Sequence, residues 1–136
     1  MAKFGKKSME KLKTLDERLQ KILLKAIKII DFKILEGHRG KELQNSYYDS
    51  GNSKLKFPKS KHNKLPSEAV DIATWFPKKP HIRWDNLMQF TYLAGIIMGV
   101  GHSMGIKLRY GHDWNRNGIL GDYSSFHDYP HIELDE

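Results

Sequence analysis

Cysteine is absent from this 136-residue chain. That excludes disulfides and thiolate metal sites, so any zinc site must be built from histidine and carboxylate. It leaves the redox compartment open. Long apolar runs are missing as well. The most apolar stretch, around Leu93 to Val100, is too short and too glycine-rich for a transmembrane helix. No apolar core or cleavage site follows the charged N-terminus (Lys3, Lys6, Lys7), so neither a secretory signal nor membrane insertion is expected. Repeats, low-complexity tracts and linkers are also lacking, and the length suits one domain with its own core rather than two. Acidic residues are outnumbered, 16 against 23 Lys and Arg, for a net charge of +7. Much of the excess lies in residues 1–34, where Lys3, Lys6, Lys7, Lys11, Lys13, Arg18, Lys21, Lys25, Lys28 and Lys33 face only Glu10, Asp16, Glu17 and Asp31. Such a face suits nucleic acid, anionic lipid or bacterial wall polymer, and equally a solvated helix that keeps the protein soluble.

What the chain does contain is periodic. Leu15, Leu19, Ile22, Leu23, Ala26 and Ile27 recur at helical spacing and predict a helix over Leu15 to Ile29, with Thr14 as cap and Glu17 completing a capping box. Phe32 to Leu35 reads as a short strand ended by Gly37, and Gly40 to Tyr48 as a second helix. Residues 49–66, rich in Ser, Asn, Gly, Lys and Pro, read as a long surface loop of the kind that is usually functional or disordered. Ala69 to Ala73 reads as a buried strand. Asp85 is the expected cap of a third helix to about Met104, with Leu87, Phe90, Leu93, Ala94, Ile97 and Met98 inward. Lys107 to Tyr110 and His131 to Leu134 complete the strands. Helices and short strands without a regular βαβ rhythm indicate an α+β fold.

Four residues stand out against this background: His62, Asp71, Asp128 and His131. Two histidines and one aspartate are the three protein ligands of a catalytic zinc site, which keeps its fourth position open. Along His131-Ile132-Glu133-Leu134 side chains alternate, so Ile132 and Leu134 face the core while His131 and Glu133 face the polar side. Two neutral imidazoles and one carboxylate leave a zinc complex net positive, which brings a bound water to a pKa of roughly 7 and polarises a carbonyl. A base must still move the proton, and Asp128, three residues before His131, is placed for it. Pro130 between them stiffens the connection. With seven histidines and sixteen acids in the chain, spacing alone leaves a second reading open, in which His62 is a surface loop residue and His131 a hydrogen-bonded strand residue.

The runs Ser60-Lys61-His62, Ala69-Val70-Asp71-Ile72 and Asp128-Tyr129-Pro130-His131-Ile132-Glu133-Leu134 resemble the zinc D-Ala-D-Ala carboxypeptidase/endopeptidase family, above all its phage endolysins that are L-alanyl-D-glutamate peptidases. The resemblance extends from Thr14 to Leu134 and includes Gly111-His112-Asp113-Trp114-Asn115. It implies a small α+β domain with an antiparallel sheet flanked by helices, shared with Hedgehog-type domains, and a single zinc peptidase catalytic domain over residues 1–136. It implies His62, Asp71 and His131 as zinc ligands, Asp128 as catalytic base, and Arg39 as the arginine that steadies the substrate carbonyl and oxyanion. The chain departs from the commoner family form in two places. Eight residues rather than six separate His62 from Asp71, and the base is Asp rather than Glu.

The expected activity is hydrolysis of the L-alanyl-D-glutamate bond of peptidoglycan stem peptides by a monomeric endolysin. It would be made in the host cytoplasm and act on the wall after release, with no nucleic-acid partner and with wall affinity supplied by the catalytic domain itself. The rivals are D-Ala-D-Ala carboxypeptidase or dipeptidase chemistry at the same zinc site, and a non-catalytic basic module binding cell wall or nucleic acid. A calcium ion is a further expectation. Asp113, Asn115 and Asn117 alternate before Gly118 like the first half of a calcium loop, with Ser124 at the twelfth position and Asp122 as an imperfect substitute. Asn and Gly equally favour plain turns.

Overall fold

The computed structural model describes residues 2–122 and 126–136. Four strands, β1 (Phe32–Glu36), β2 (Ala69–Thr74), β3 (Leu108–Tyr110) and β4 (His131–Leu134), form one antiparallel sheet in the order β1-β2-β4-β3. The helices are α1 (Lys6–Leu12), α2 (Glu17–Ala26), α3 (Lys41–Asp49) and α4 (Leu87–Ser103). The expected α+β class and antiparallel sheet are therefore present. Among the described residues no helix is long and apolar enough to cross a membrane.

Strand alternation divides the sheet into two faces. Phe32, Ile34, Val70, Ile72, Leu108, Tyr110, Ile132 and Leu134 point into the core, where α4 packs on β2 and β3 and α2 packs on α4. Each large side chain so buried contributes about 1.5–3 kcal/mol. The helices present Leu19, Ile22, Leu23 and Ala26 from α2 and Phe90, Leu93, Ala94 and Ile97 from α4 to this face. Asp71, Arg109, His131 and Glu133 fall on the other face, which lies under loops rather than helices.

The helix starts differ from expectation for identifiable reasons. Asp16, not Thr14, caps α2, its side chain accepting from the Arg18 amide at 2.9 Å. Leu15 is held in a bridge to Ser67, and the Asp16 amide donates to the Ser67 carbonyl at 2.8 Å, so the chain is still extended there. Thr14 Oγ1 is engaged elsewhere, donating to the Lys11 carbonyl and accepting the His38 amide. Asn86 rather than Asp85 caps α4, accepting from the Gln89 amide, and Leu87 lies outward, 43% exposed. Helix α1 has no clear sequence signal. It covers the open edge of β1, where Ser8 Oγ accepts the Ile34 amide and Lys11 Nζ donates to the Leu35 carbonyl.

Candidate active site

A row of paired positions crosses the sheet: Glu36 opposite Asp71, and Asp71 opposite His131. A register shift between Ile34 and Glu36 creates this row. Without it Leu35 would stand opposite Asp71. The bulge re-aims a carboxylate onto the polar face, a common use of bulges beside functional sites. His62 reaches the same place from the 3-10 turn Lys61–Asn63, which Ser60 and Asn63 cap reciprocally. The long loop expected between α3 and β2 therefore contains a fixed turn.

His62, Asp71 and His131 bring one ligand atom each to within 4.8 Å of one another, and this trio could hold a metal ion. His62 Nε2 lies 3.2 Å from Asp71 Oδ1, and His131 Nδ1 lies 3.3 Å from the same oxygen. The remaining ring nitrogens are committed. His62 Nδ1 donates to the Gly37 carbonyl at 2.8 Å, and His131 Nε2 donates to Glu133 Oε1 at 2.8 Å. With those nitrogens committed, the opposite nitrogen of each ring is the one that faces Asp71 and would be the ligand atom for a metal, the usual support of metal-binding imidazoles. Glu133 is itself gripped by Arg109 Nη2 at 2.8 Å and Nε at 3.1 Å, with Lys61 Nζ at 3.4 Å.

The electrostatics agree with a cation-seeking centre. Burial opposes charge on Asp71, but His62 and His131 outweigh it and hold its carboxyl far below the usual range. Burial would lower His131, yet hydrogen bonds to Asp71 and Glu133 raise it to about 10. The upward direction shows that the surrounding carboxylates favour positive charge at this position. The donor set, two imidazoles and one carboxylate with supported outer nitrogens, fits zinc.

Asp128 stands at the edge of this trio, its Oδ2 3.8 Å from His131 Nδ1. Burial, and next the negative charge of Asp71, push its carboxyl up to about 6. Arg39 is buried, 6% exposed. Its Nη1 donates to Gln44 Oε1 at 2.8 Å, its Nη2 to Glu36 Oε2 at 2.8 Å, and its plane lies 4.6 Å from the Tyr47 ring. Its Nε is buried and has no hydrogen-bond acceptor among the described residues. All five expected site residues thus line one cleft of about 800 Å³. Trp114 forms part of its wall, 5.5 Å from the His131 ring and beneath the Arg109 guanidinium.

Residues 1–135 match the profile of the family described as phage L-alanyl-D-glutamate peptidase. The chain is also 36% identical over 137 residues to the L-alanyl-D-glutamate peptidase of Escherichia phage T5, with 97% of each chain covered. This chain belongs to the phage L-alanyl-D-glutamate peptidase family. Its fold is that of the Serratia marcescens L-Ala D-Glu endopeptidase ChiX, at TM-score 0.76 and 20% identity, covering 98% of this chain and 91% of that one. The vancomycin-resistance D,D-dipeptidase VanXYg, solved with a D-Ala-D-Ala phosphinate analogue, is a more distant neighbour. It has TM-score 0.50 and 19% identity, covering 88% of this chain and 50% of that one.

Several site residues of this family member carried no sequence signal. Gly37 and Gln44 act through a carbonyl and an amide that no spacing announces. Glu133 was visible only as a polar-face neighbour of His131. The other histidines lie apart from the trio. His112 and His127, for instance, meet each other with their Nδ1 atoms 3.0 Å apart.

Calcium gains no support. Asp113 Oδ2 accepts the Gly118 amide, Asn117 Oδ1 accepts the Ile119 amide, and Asn115 and Asn117 turn their NH2 groups, not their oxygens, towards Asp122. These side chains build a turn. Ser124, the expected twelfth position, lies outside the described residues.

Gly111 joins the end of β3 to the active site. Its amide donates to the His131 carbonyl and its carbonyl accepts the Asp128 amide, both at 2.8 Å. A Cβ here would collide with the Asp128 carbonyl oxygen. Gly111→Ala should therefore displace the Asp128 segment and cost about 1–3 kcal/mol. Thermal unfolding and peptidase assays check this; an unchanged melting temperature with full activity would contradict the close approach.

Proposed function

We propose that this protein is a zinc-dependent endolysin that hydrolyses the L-alanyl-D-glutamate bond of peptidoglycan stem peptides. The observation that carries the reading is the convergence of His62, Asp71 and His131, with Asp128 at their edge, in a family member whose relative from phage T5 bears that activity in its name. His62 Nε2, an Asp71 carboxylate oxygen and His131 Nδ1 would hold the ion. Zinc held there supplies Lewis acidity towards water and towards the scissile carbonyl.

The chain's own residues supply the rest. Asp128 takes a proton from the attacking water on Oδ2 and returns it to the departing D-glutamyl nitrogen as the C–N bond breaks. Burial and the neighbouring Asp71 push the Asp128 carboxyl up, the direction a proton-exchanging group needs. Arg39, on the cleft wall, places its guanidinium charge where it favours the carbonyl oxygen as negative charge develops there. Glu36, Gln44 and Tyr47 hold its plane, so it is oriented before substrate arrives. Glu133 and the Gly37 carbonyl keep both imidazoles in ligand tautomers. We read the protein as a monomer that acts on the wall after release from the host cytoplasm, its excess of Lys and Arg favouring an anionic envelope.

Digestion of purified peptidoglycan followed by mass spectrometry of the new termini tests the reaction. New N-termini on D-glutamate are expected. Release of free D-alanine instead would reassign the bond, and the absence of new termini from zinc-loaded protein would end the enzymatic reading.

A further inference from the structure

The acids of the cleft all have partners. Glu36 and Asp71 lie against Arg39, Glu133 against Arg109 and Lys61, and Asp71 and Asp128 against imidazoles. Lys54 and Lys59 line the same cleft, are exposed, and have no carboxylate partner among the described residues. Lys54 is nevertheless held in place. Its neighbours Ser53 and Leu55 both accept from Gln44 Nε2, at 2.9 and 2.5 Å. Gln44 is fully buried, and its Oε1 accepts from Arg39 Nη1. One buried amide therefore ties the active-site arginine and the lysine-bearing rim into a unit. Lys54 Nζ lies 5.5 Å from the ring of Phe126, two residues before Asp128, so its ammonium bridges the cleft beside the proton-carrying segment.

The substrate has a group that matches this charge. Glutamate on the amine side of the scissile bond has two carboxyl groups, and a peptide can continue through only one. The other enters the cleft as a carboxylate. The acids of the cleft already have cationic partners, so an unmatched ammonium at the rim is the group free to receive it.

We propose that Lys54 is a specificity-determining residue that binds the free carboxylate of the D-glutamyl residue, with Lys59 adding to the local positive potential. This rests on the L-alanyl-D-glutamate reading above. A charge-assisted contact at a rim position corresponds to a roughly tenfold effect on binding.

The test uses the zinc-loaded full chain and two soluble peptides containing the L-alanyl-D-glutamyl bond, one with the free carboxyl and one with that group amidated. The wild type should prefer the acid. Lys54→Met should raise KM for the acid roughly tenfold at unchanged kcat, leave the amide's kinetics as they were, and so remove the preference. Lys54→Arg should retain it. Equal cleavage of acid and amide by the wild type, or equal losses on both in Lys54→Met, would overturn the proposal. Cleavage of neither peptide by the wild type would remove the bond assignment itself, and the Lys54 subsite with it.

Discussion

His131→Ala should yield a folded chain that binds no stoichiometric zinc and has no peptidase activity above background. In the proposed site His131 would supply one of three ligand atoms, and a catalytic zinc site needs three from the protein. His62 and Asp71 alone would leave the ion exchangeable. The fold should survive the change. Glu133 loses its His131 partner but keeps Arg109 and Lys61, so no buried carboxylate is stranded. The lost hydrogen bonds and contacts cost about 1–3 kcal/mol, which a domain with an intact core face absorbs. Metal analysis after gel filtration, circular dichroism and the wall digestion check the three parts together. Full zinc content or retained turnover would remove His131 from the site.

How much of this was legible beforehand depended on whether the determinant was local. The helix over α2, the strand at Ala69 to Thr74 and the last strand follow from periods of 3.6 and 2, because one face of each element must be buried. The alternation at His131 and Glu133 placed both on the polar face, and both are there. What it did not disclose is that this face is also buried: His131 is 6% and Glu133 5% exposed, because loops close over it. The start of α2 was displaced by long-range pairing, in which Ser67 captures Leu15 and Asp16. Helix α1 was missed because few of its residues enter the core: it closes the edge of β1, a requirement set by another segment. The bulge that turns Glu36 to Arg39, and the amide of Gln44 that joins Arg39 to the rim, likewise exist only once distant segments meet. The five residues that meet in the cleft, His62, Asp71, His131, Asp128 and Arg39, were legible as candidates. The groups that orient them were not.

Asp128→Asn should keep the zinc and the fold while turnover falls by about 10²–10⁴, the usual worth of a positioned general base. Asparagine preserves volume and leaves the backbone bonds of residue 128 in place, its amide to Gly111 and its carbonyl to the His131 amide. It removes only the ability to take and return a proton. A wholly structural Asp128 would therefore tolerate the change, and near-wild-type turnover would dismiss it as base. Zinc content must be measured alongside, because Asp128 Oδ2 lies 3.8 Å from His131 Nδ1, and a metal-poor variant would mimic a base-poor one. Asp128→Glu separates chemistry from reach. A longer carboxylate on the same backbone retains basicity but carries its oxygens past the position that Pro130 and the Gly111 contact set for aspartate. Activity intermediate between wild type and Asp128→Asn, with kcat rather than KM reduced, is the expected result. Such a split follows because the group acts on the proton in flight and contributes little to holding the bound peptide.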